Sequence, residues 1–281
     1  MSVINTNVSA LYSQNAMKTN ARSMNTAMEQ LSTGTRINSA KDDAAGLAIG
    51  QSMTSQIRGL NQAVRNANDG VNMMQTAEGA MVEQSNMLQR MRELAVQSSN
   101  GTYSSDQRGY LNTEFSALIT QIENIATQTT WNGQSLLTGT NTNSITGTSG
   151  AFEFQIGQAS GQTLTVNIGD MSTGSSGLAV SGLAIATASG ASSAITDIDD
   201  ALDKINLQRA AIGAGINQLA YAADNMTNIS ANVTQSRSTI MDTDYAMATT
   251  QLAKTQILQQ ASTAMLAQAN QQAQGVMALL K

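Results

Sequence analysis

From Met53 to Ala95 a seven-residue step meets only apolar side chains: Met53, Leu60, Ala67, Met74, Met81, Leu88 and Ala95. A companion row is apolar at Ile57, Val64 and Val71, then polar at Glu78, Ser85 and Arg92. Sustained apolar spacing of this kind, with polar residues between, predicts a helix that buries one seam against other helices. The run would form a rod roughly 65 Å long, at ~1.5 Å per residue. A second run can cover it, because Ile198, Ile205, Ile212, Leu219, Met226, Val233 and Ile240 repeat the same step. Between them, Leu111, Phe115, Leu118, Ile122 and Ile125 follow the turn signal Asn100–Ser105. A short turn of that kind makes the helix they form antiparallel to the first rod.

The two ends carry weaker versions of the pattern. Ile4, Val8 and Leu11, then Met17, Ala21, Met24, Met28 and Leu31, predict an amphipathic helix with a register slip between Leu11 and Met17. Gly34 stops it. Asn38 or Ser39 can open the next helix, with Asp42 and Asp43 in its first turn near the positive end of the helix dipole. The C-terminal run passes through Leu258, Ala261, Met265, Ala269, Val276 and Leu280. The first is rich in Asn, Ser and Thr, the second in Ala and Gln and almost uncharged, and each end looks unable to fold alone.

The middle breaks the helical pattern. Residues 138–192 hold ten glycines, and Glu153 and Asp170 are their charged side chains. Phe152–Ile156 and Leu164–Ile168 alternate with period two across a Gly157–Gly161 turn and predict a β-hairpin. Ser172–Ser192 reads as low-complexity loop, and Asn132-Gly133 is a turn signal. The fold class is therefore mainly α, a long antiparallel α-helical coiled-coil bundle with a small β-hairpin region and paired N- and C-termini.

Composition narrows the function. The 281 residues contain no proline, which permits long helices, and only 3% aromatics, which suits thin helix-on-helix seams. Cysteine and histidine are both absent. That removes thiol nucleophiles, disulfides and the commonest general base and metal ligand. The pairs Asp42, Asp43 and Asp242, Asp244 could suggest a metal or acid–base site, but helix N-termini explain them more simply. No catalytic, metal or cofactor residue is expected. The net charge of −5, with scattered Lys and Arg, argues against a nucleic-acid partner. No apolar run is long enough for a membrane span, and the first residues lack the apolar core of a general secretory signal.

The layout and several words of the sequence resemble bacterial flagellin. The words are Val3–Asn7, Leu31–Gly46 (LSTGTRINSAKDDAAG), Arg65–Gly70, Leu88–Ser98 (LQRMRELAVQS), Asp242–Ala246, Gln256–Asn270 (QILQQASTAMLAQAN) and Leu279–Lys281. The resemblance covers about 1–137 and 193–281 and lacks the large outer domains of longer flagellins. It implies a subunit that polymerises into the filament for swimming motility, secreted by the flagellar type III route to the cell exterior. It implies a terminal coiled-coil domain, 1–43 with 236–281, at the filament core. A helical rod domain, 44–137 with 193–235, carries the hairpin and loops of 138–192. The nearest alternative is the flagellin-like hook–filament junction protein. A third class, an enzyme housed in the middle region, is excluded by its shortness and its lack of histidine.

Residue roles follow from the same resemblance. Leu88, Gln89, Arg90, Glu93, Leu94, Gln97 and Glu114 are implied contacts for neighbouring subunits and for the flagellin-sensing Toll-like receptor. Without it, the Arg90, Glu93 and Gln97 face reads as solvated helix surface. Asp43 and Gly46 match the plant receptor epitope. Leu11, Met24, Leu31, Leu258, Met265 and Leu280 are the implied terminal assembly residues. The terminal leucines also match what the cytosolic inflammasome sensor reads. The partners implied are further copies of the chain, the export apparatus and its chaperone, the filament cap and hook-junction proteins.

Overall fold

A computed structural model describes residues 6–139 and 150–278, the side chains of 272–278 excepted, so the expectations for Ile4, Leu279, Leu280 and the side chain of Val276 lie outside the described residues. In chain order the elements are α1 (Val8–Thr33), α2 (Ala44–Ser99), α3 (Ser105–Gln128), β1 (Thr130–Trp131), β2 (Gln134–Ser135), β3 (Ala151–Gln155), β4 (Thr163–Asn167), α4 (Ala188–Met241) and α5 (Tyr245–Ala278). The chain divides into two compact units, Met1–Ile57 with Ala231–Lys281, and Arg58–Ser230.

In the unit Arg58–Ser230, α2 and α4 run antiparallel. Ser230 donates to Asn61, Arg209 faces Glu78 at 3.6 Å, and Arg92 faces Asp199 at 2.6 Å, so the partner's number falls as the first one rises. The expected rows Leu60 to Ala95 on α2 and Ile198 to Met226 on α4 are buried in one core. The companion row differs from expectation. It is Ala63, Gly70, Ala77, Gln84, Met91 and Ser98 that are buried, whereas Glu78 is half-buried and Arg92 exposed. Two members of that row are polar and bond to backbone: the Gln84 Nε2 donates to Ile122 O (3.3 Å) and Met171 O (3.1 Å), while its Oε1 is buried without a partner, and Ser98 donates to Ile185 O. Gly70 is there because Phe154 comes so close that a Cβ would sit 2.9 Å from its ring.

Helix α3 opens on a capping box, in which Ser104 accepts from Gln107 N and the Gln107 side chain accepts from Ser104 N. It lays Phe115, Ile122 and Ala126 into the core. β1 and β2 form a two-residue hairpin over Asn132-Gly133, both with positive φ (50° and 78°), as a tight antiparallel turn requires. β3 and β4 pair antiparallel, with Phe152 opposite Val166 and Phe154 opposite Leu164. The hairpin sits one residue earlier than the sequence alternation suggested.

The low-complexity stretch is less loose than its composition. Leu178, Val180 and Ile185 are buried in the common core. Glu123 accepts from both the backbone and hydroxyl of Thr173, at 2.8 and 2.7 Å, and Lys204 donates to Gly177 O. Helix α4 begins at Ala188, inside the span read as loop, and the Thr187 hydroxyl accepts from Gly190 N.

In the other unit, α1 and α5 run antiparallel, since Asn7 donates to Ala269 O and Asn20 to Thr255 O. Gly34 ends α1 in the left-handed conformation (φ 71°) with its N–H on Gln30 O. The chain then ties itself to the segment before α5. Thr35 bridges Asp242, Arg36 N donates to Met241 O, Thr243 N donates to Gly34 O, and the Arg36 guanidinium donates to Ile240 O. Helix α2 does not open at Asn38 or Ser39. Asp43 caps it by accepting from Ala45 N and Gly46 N, while Asp42 closes the preceding turn on Asn38 N and Ser39 N. A carboxylate can satisfy free amides only from just before the helix, so the acidic pair sits outside the first turn.

Candidate functional site

Two surfaces carry the residues singled out by sequence, one on each unit. On Arg58–Ser230 they lie along α2 and α3. Leu88 and Leu94 are core side chains, 0% and 1% exposed, so the accessible members of the set are Gln89, Arg90, Glu93, Gln97 and Glu114. Arg90 joins two elements: its guanidinium is 2.9 Å from Glu93 on its own helix and 3.0 Å from Glu114 on α3. Hydrogen bonds that it donates to Glu93, and then to Glu114, hold its pKa above the ordinary arginine value. The cluster is exposed, so solvent screens it and it contributes little to stability. Its consequence is a fixed spread of charge on a rigid helix pair.

Three neighbours of this surface were not singled out by sequence. Gln97 donates to the Tyr103 hydroxyl at 2.9 Å. Arg92 forms a two-pronged contact with Asp199 of α4, and that hydrogen bond lowers the Asp199 pKa. Val96 is exposed beside them and lines a shallow groove with Gln89, Arg92, Glu93 and Gln97. A run of exposed polar positions flanking one apolar residue was the available signal, but partners from α3 and α4 are invisible in a linear pattern.

Asp43 and Gly46 are joined by the α2 cap. A Cβ on Gly46 would lie 2.5 Å from the Asp43 carboxylate and 2.6 Å from Ile37, so a larger residue would have to shift the capping carboxylate. The remaining acidic candidates also have local work: Asp244 caps α5 by accepting from Ala246 N, and Asp242 forms the bridge to Thr35. Among the described residues no group of such side chains is placed to hold a metal ion.

The terminal candidates are divided. Met24 and Leu31 are half-buried, but Leu11, Leu258 and Met265 are 56, 44 and 63% exposed. The shielded positions of α5 are instead Ala248, Leu252, Thr255, Gln259, Ser262, Leu266 and Ala269. The α1/α5 seam is thus built on a row that includes three polar residues, and Leu11, Leu258 and Met265 face away from it. Tyr12, Met247 and Ile257 add to that uncovered apolar surface, at the ends and middle of the same helices.

Comparison with known proteins agrees with this architecture. The chain matches the bacterial flagellin N-terminal helical region over residues 4–142 and the bacterial flagellin C-terminal helical region over 195–280. It is 41% identical over 288 residues to the flagellar filament 31.3 kDa core protein of Treponema maltophilum, covering 99% of this chain and 100% of that one. It is 42% identical over 279 residues to flagellin of Halalkalibacterium halodurans, with 99% and 100% covered. The crystal structure of Bacillus cereus flagellin aligns at a TM-score of 0.50 and 33% identity, over 60% of this chain and 94% of that one. Matched at both ends and along nearly its whole length, and built of paired terminal helices and a helical body, the chain belongs to the bacterial flagellin family, whose members are structural, non-enzymatic proteins of the extracellular flagellar filament.

Proposed function

We propose that this chain polymerises with copies of itself into the flagellar filament that drives swimming. The observation that carries the reading is the uncovered apolar surface of α1 and α5: Leu11, Tyr12, Ile257, Leu258 and Met265 are all exposed in the single subunit. Exposed apolar stripes on this scale mark surfaces meant for a partner. A head-to-tail contact that does not close on itself propagates as a helix. In this reading 1–43 with 236–281 form the filament-core part, and 44–137 with 193–235 form the rod carrying 138–192. Purified subunit, seeded with filament fragments, should grow long filaments by electron microscopy. A hook–filament junction protein should not grow alone, and failure to elongate would favour that alternative. Deleting residues 1–40 should abolish growth while leaving the α2–α4 core folded by circular dichroism.

A second reading concerns Arg90, Glu93, Gln97 and Glu114. The fixed, exposed charges of this surface support a role as a ligand of the host Toll-like receptor, with the terminal helices a ligand of inflammasome sensors and the Asp43–Gly46 turn one for plant receptors. Export apparatus, chaperone, cap and hook-junction proteins are the remaining proposed partners. Arg90→Ala should lower activation of receptor-bearing cells about tenfold or more, in line with loss of a charged contact, without changing the melting temperature. Unchanged activation would remove that reading and leave polymerisation untouched.

A further inference from the structure

Methionine is the sole sulfur residue of the chain, because cysteine is absent. Its side chains are sorted by unit. In Arg58–Ser230, Met73, Met74, Met81, Met91, Met171 and Met226 are each at most 5% exposed, and Met87 is half-buried. Among the described residues the exposed methionines are Met28 at 53%, Met247 at 73% and Met265 at 63%, and all three belong to α1 or α5. Met247 and Met265 are eighteen residues apart. At ~3.6 residues per turn that is about five full turns, so they lie on one line of the helix, and Leu258 lies within roughly 20° of it. This line is not the row that faces α1, which runs through Leu252, Thr255 and Gln259.

We propose that Met247 and Met265, the two most exposed of the described methionines, are the fastest-oxidised sites of the free subunit, ahead of Met28, and that their conversion to sulfoxides blocks self-assembly. The blocking step rests on the polymerisation reading above. A peroxide transfers one oxygen atom to each thioether. The sulfur loses two electrons and gains an S=O bond, the O–O bond breaks, and hydrogen peroxide leaves as water. The product replaces a flexible apolar tip with a polar group. Placed on the stripe that another copy covers, beside Leu258, it replaces an apolar contact with a polar group that must give up water on burial, which is unfavourable even though Lys254 shares the line. The sealed methionines of the other unit are out of reach of the same reagent, so the subunit keeps its fold while losing its assembly surface. Once a second copy covers the stripe, the sites are shielded and the filament resists.

The test treats full-length protein with hydrogen peroxide, as free subunit and as seeded filament. Sulfoxides are mapped by peptide mass spectrometry, and assembly is followed by light scattering. Free subunit should oxidise at Met247 and Met265 about tenfold faster than at Met74 and Met81, and assemble about tenfold more slowly, with helicity unchanged. Filament should oxidise at both sites about tenfold more slowly than subunit. The Met247→Leu/Met265→Leu variant should assemble after peroxide at the untreated rate. Normal assembly of doubly oxidised subunit, equal oxidation in filament and subunit, or persistent loss in the double variant would each overturn the proposal. If untreated subunit fails to assemble, the polymerisation reading falls and takes the blocking step with it, while the mass map still decides the site assignment.

Discussion

The two units use the same kind of helix in opposite ways. In Arg58–Ser230, Met74, Met81, Leu88, Leu94, Phe115, Ile122 and Ile185 are sealed from solvent in one core. In the unit of Met1–Ile57 and Ala231–Lys281, the buried apolar residues among those described are Ala27, Ile37 and Ala248. Burying a large aliphatic side chain stabilises by about 1.5–3 kcal/mol. The first unit gains that many times over, the second hardly at all. What holds the second is local: the caps at Asp43 and Asp244, the Gly34 turn, and the backbone bonds from Arg36 N to Met241 O and from Thr243 N to Gly34 O. A helix pair held by caps and a few backbone bonds stays close to the edge of folding and leaves its large apolar residues free. That is a useful state for a surface that is completed by another subunit.

The contrast can be broken most directly at Phe115. Phe115→Ala should cost about 3–5 kcal/mol, seen as loss of the main thermal transition, because it empties a sealed site between α2 and α3. A comparably destructive truncation at Leu258, exposed on α5, should leave that transition unmoved. A smaller effect is expected from Gln84→Leu. It removes the donor to Ile122 O and Met171 O, and should destabilise Arg58–Ser230 by about 1–3 kcal/mol in denaturant titration, since a buried carbonyl loses its partner. If Gln84→Leu were neutral, the polar member of the seam would be ordinary filler. Asp43→Ala should cost about 1 kcal/mol. It should appear as faster amide exchange at Ala45 and Gly46, with no change in Arg58–Ser230.

The smallest expected effect is with pH. Hydrogen bonding by Ser39 lowers the Asp42 pKa, and the Arg92 hydrogen bond lowers that of Asp199. For Asp170, partial burial pushes upward, but hydrogen bonds from Ser176 and Ser172 outweigh it and the net shift is down. A carboxylate with a lowered folded pKa stabilises fully above its unfolded value, about 3.9, and that contribution fades as pH falls through the folded value. Melting temperature should therefore be level above about pH 4 and decline below it. Asp170→Asn should flatten part of that decline, and an unaltered acid limb would show that the turn at Ser172–Ser176 does not depend on the charge.

The sequence by itself determined the long helices, because apolar residues repeating every seven positions have only one way to be buried together. The rows from Leu60 to Ala95 and from Ile198 to Met226 were legible for that reason, as were the antiparallel α3 and the hairpin. Capping chemistry at Gly34 was legible too, since only a residue tolerant of positive φ fits there. The second row of α2 was not. Gly70, Gln84 and Ser98 read as polar or empty until α3, Phe154 and the loop carrying Met171 and Ile185 arrive to fill or satisfy them. Which row of α5 meets α1 was not legible for a related reason. Helices α1 and α5 each carry more than one apolar or small-residue stripe, and hydrophobicity alone does not say which one meets the partner helix. The tertiary structure decided it by burying Ala27, Ala248 and Thr255, with Asn20 bonded to Thr255 O, and by leaving Leu258 and Met265 facing outward. Close approach between helices depends on small residues and backbone hydrogen bonds, which a pattern of apolar positions does not record.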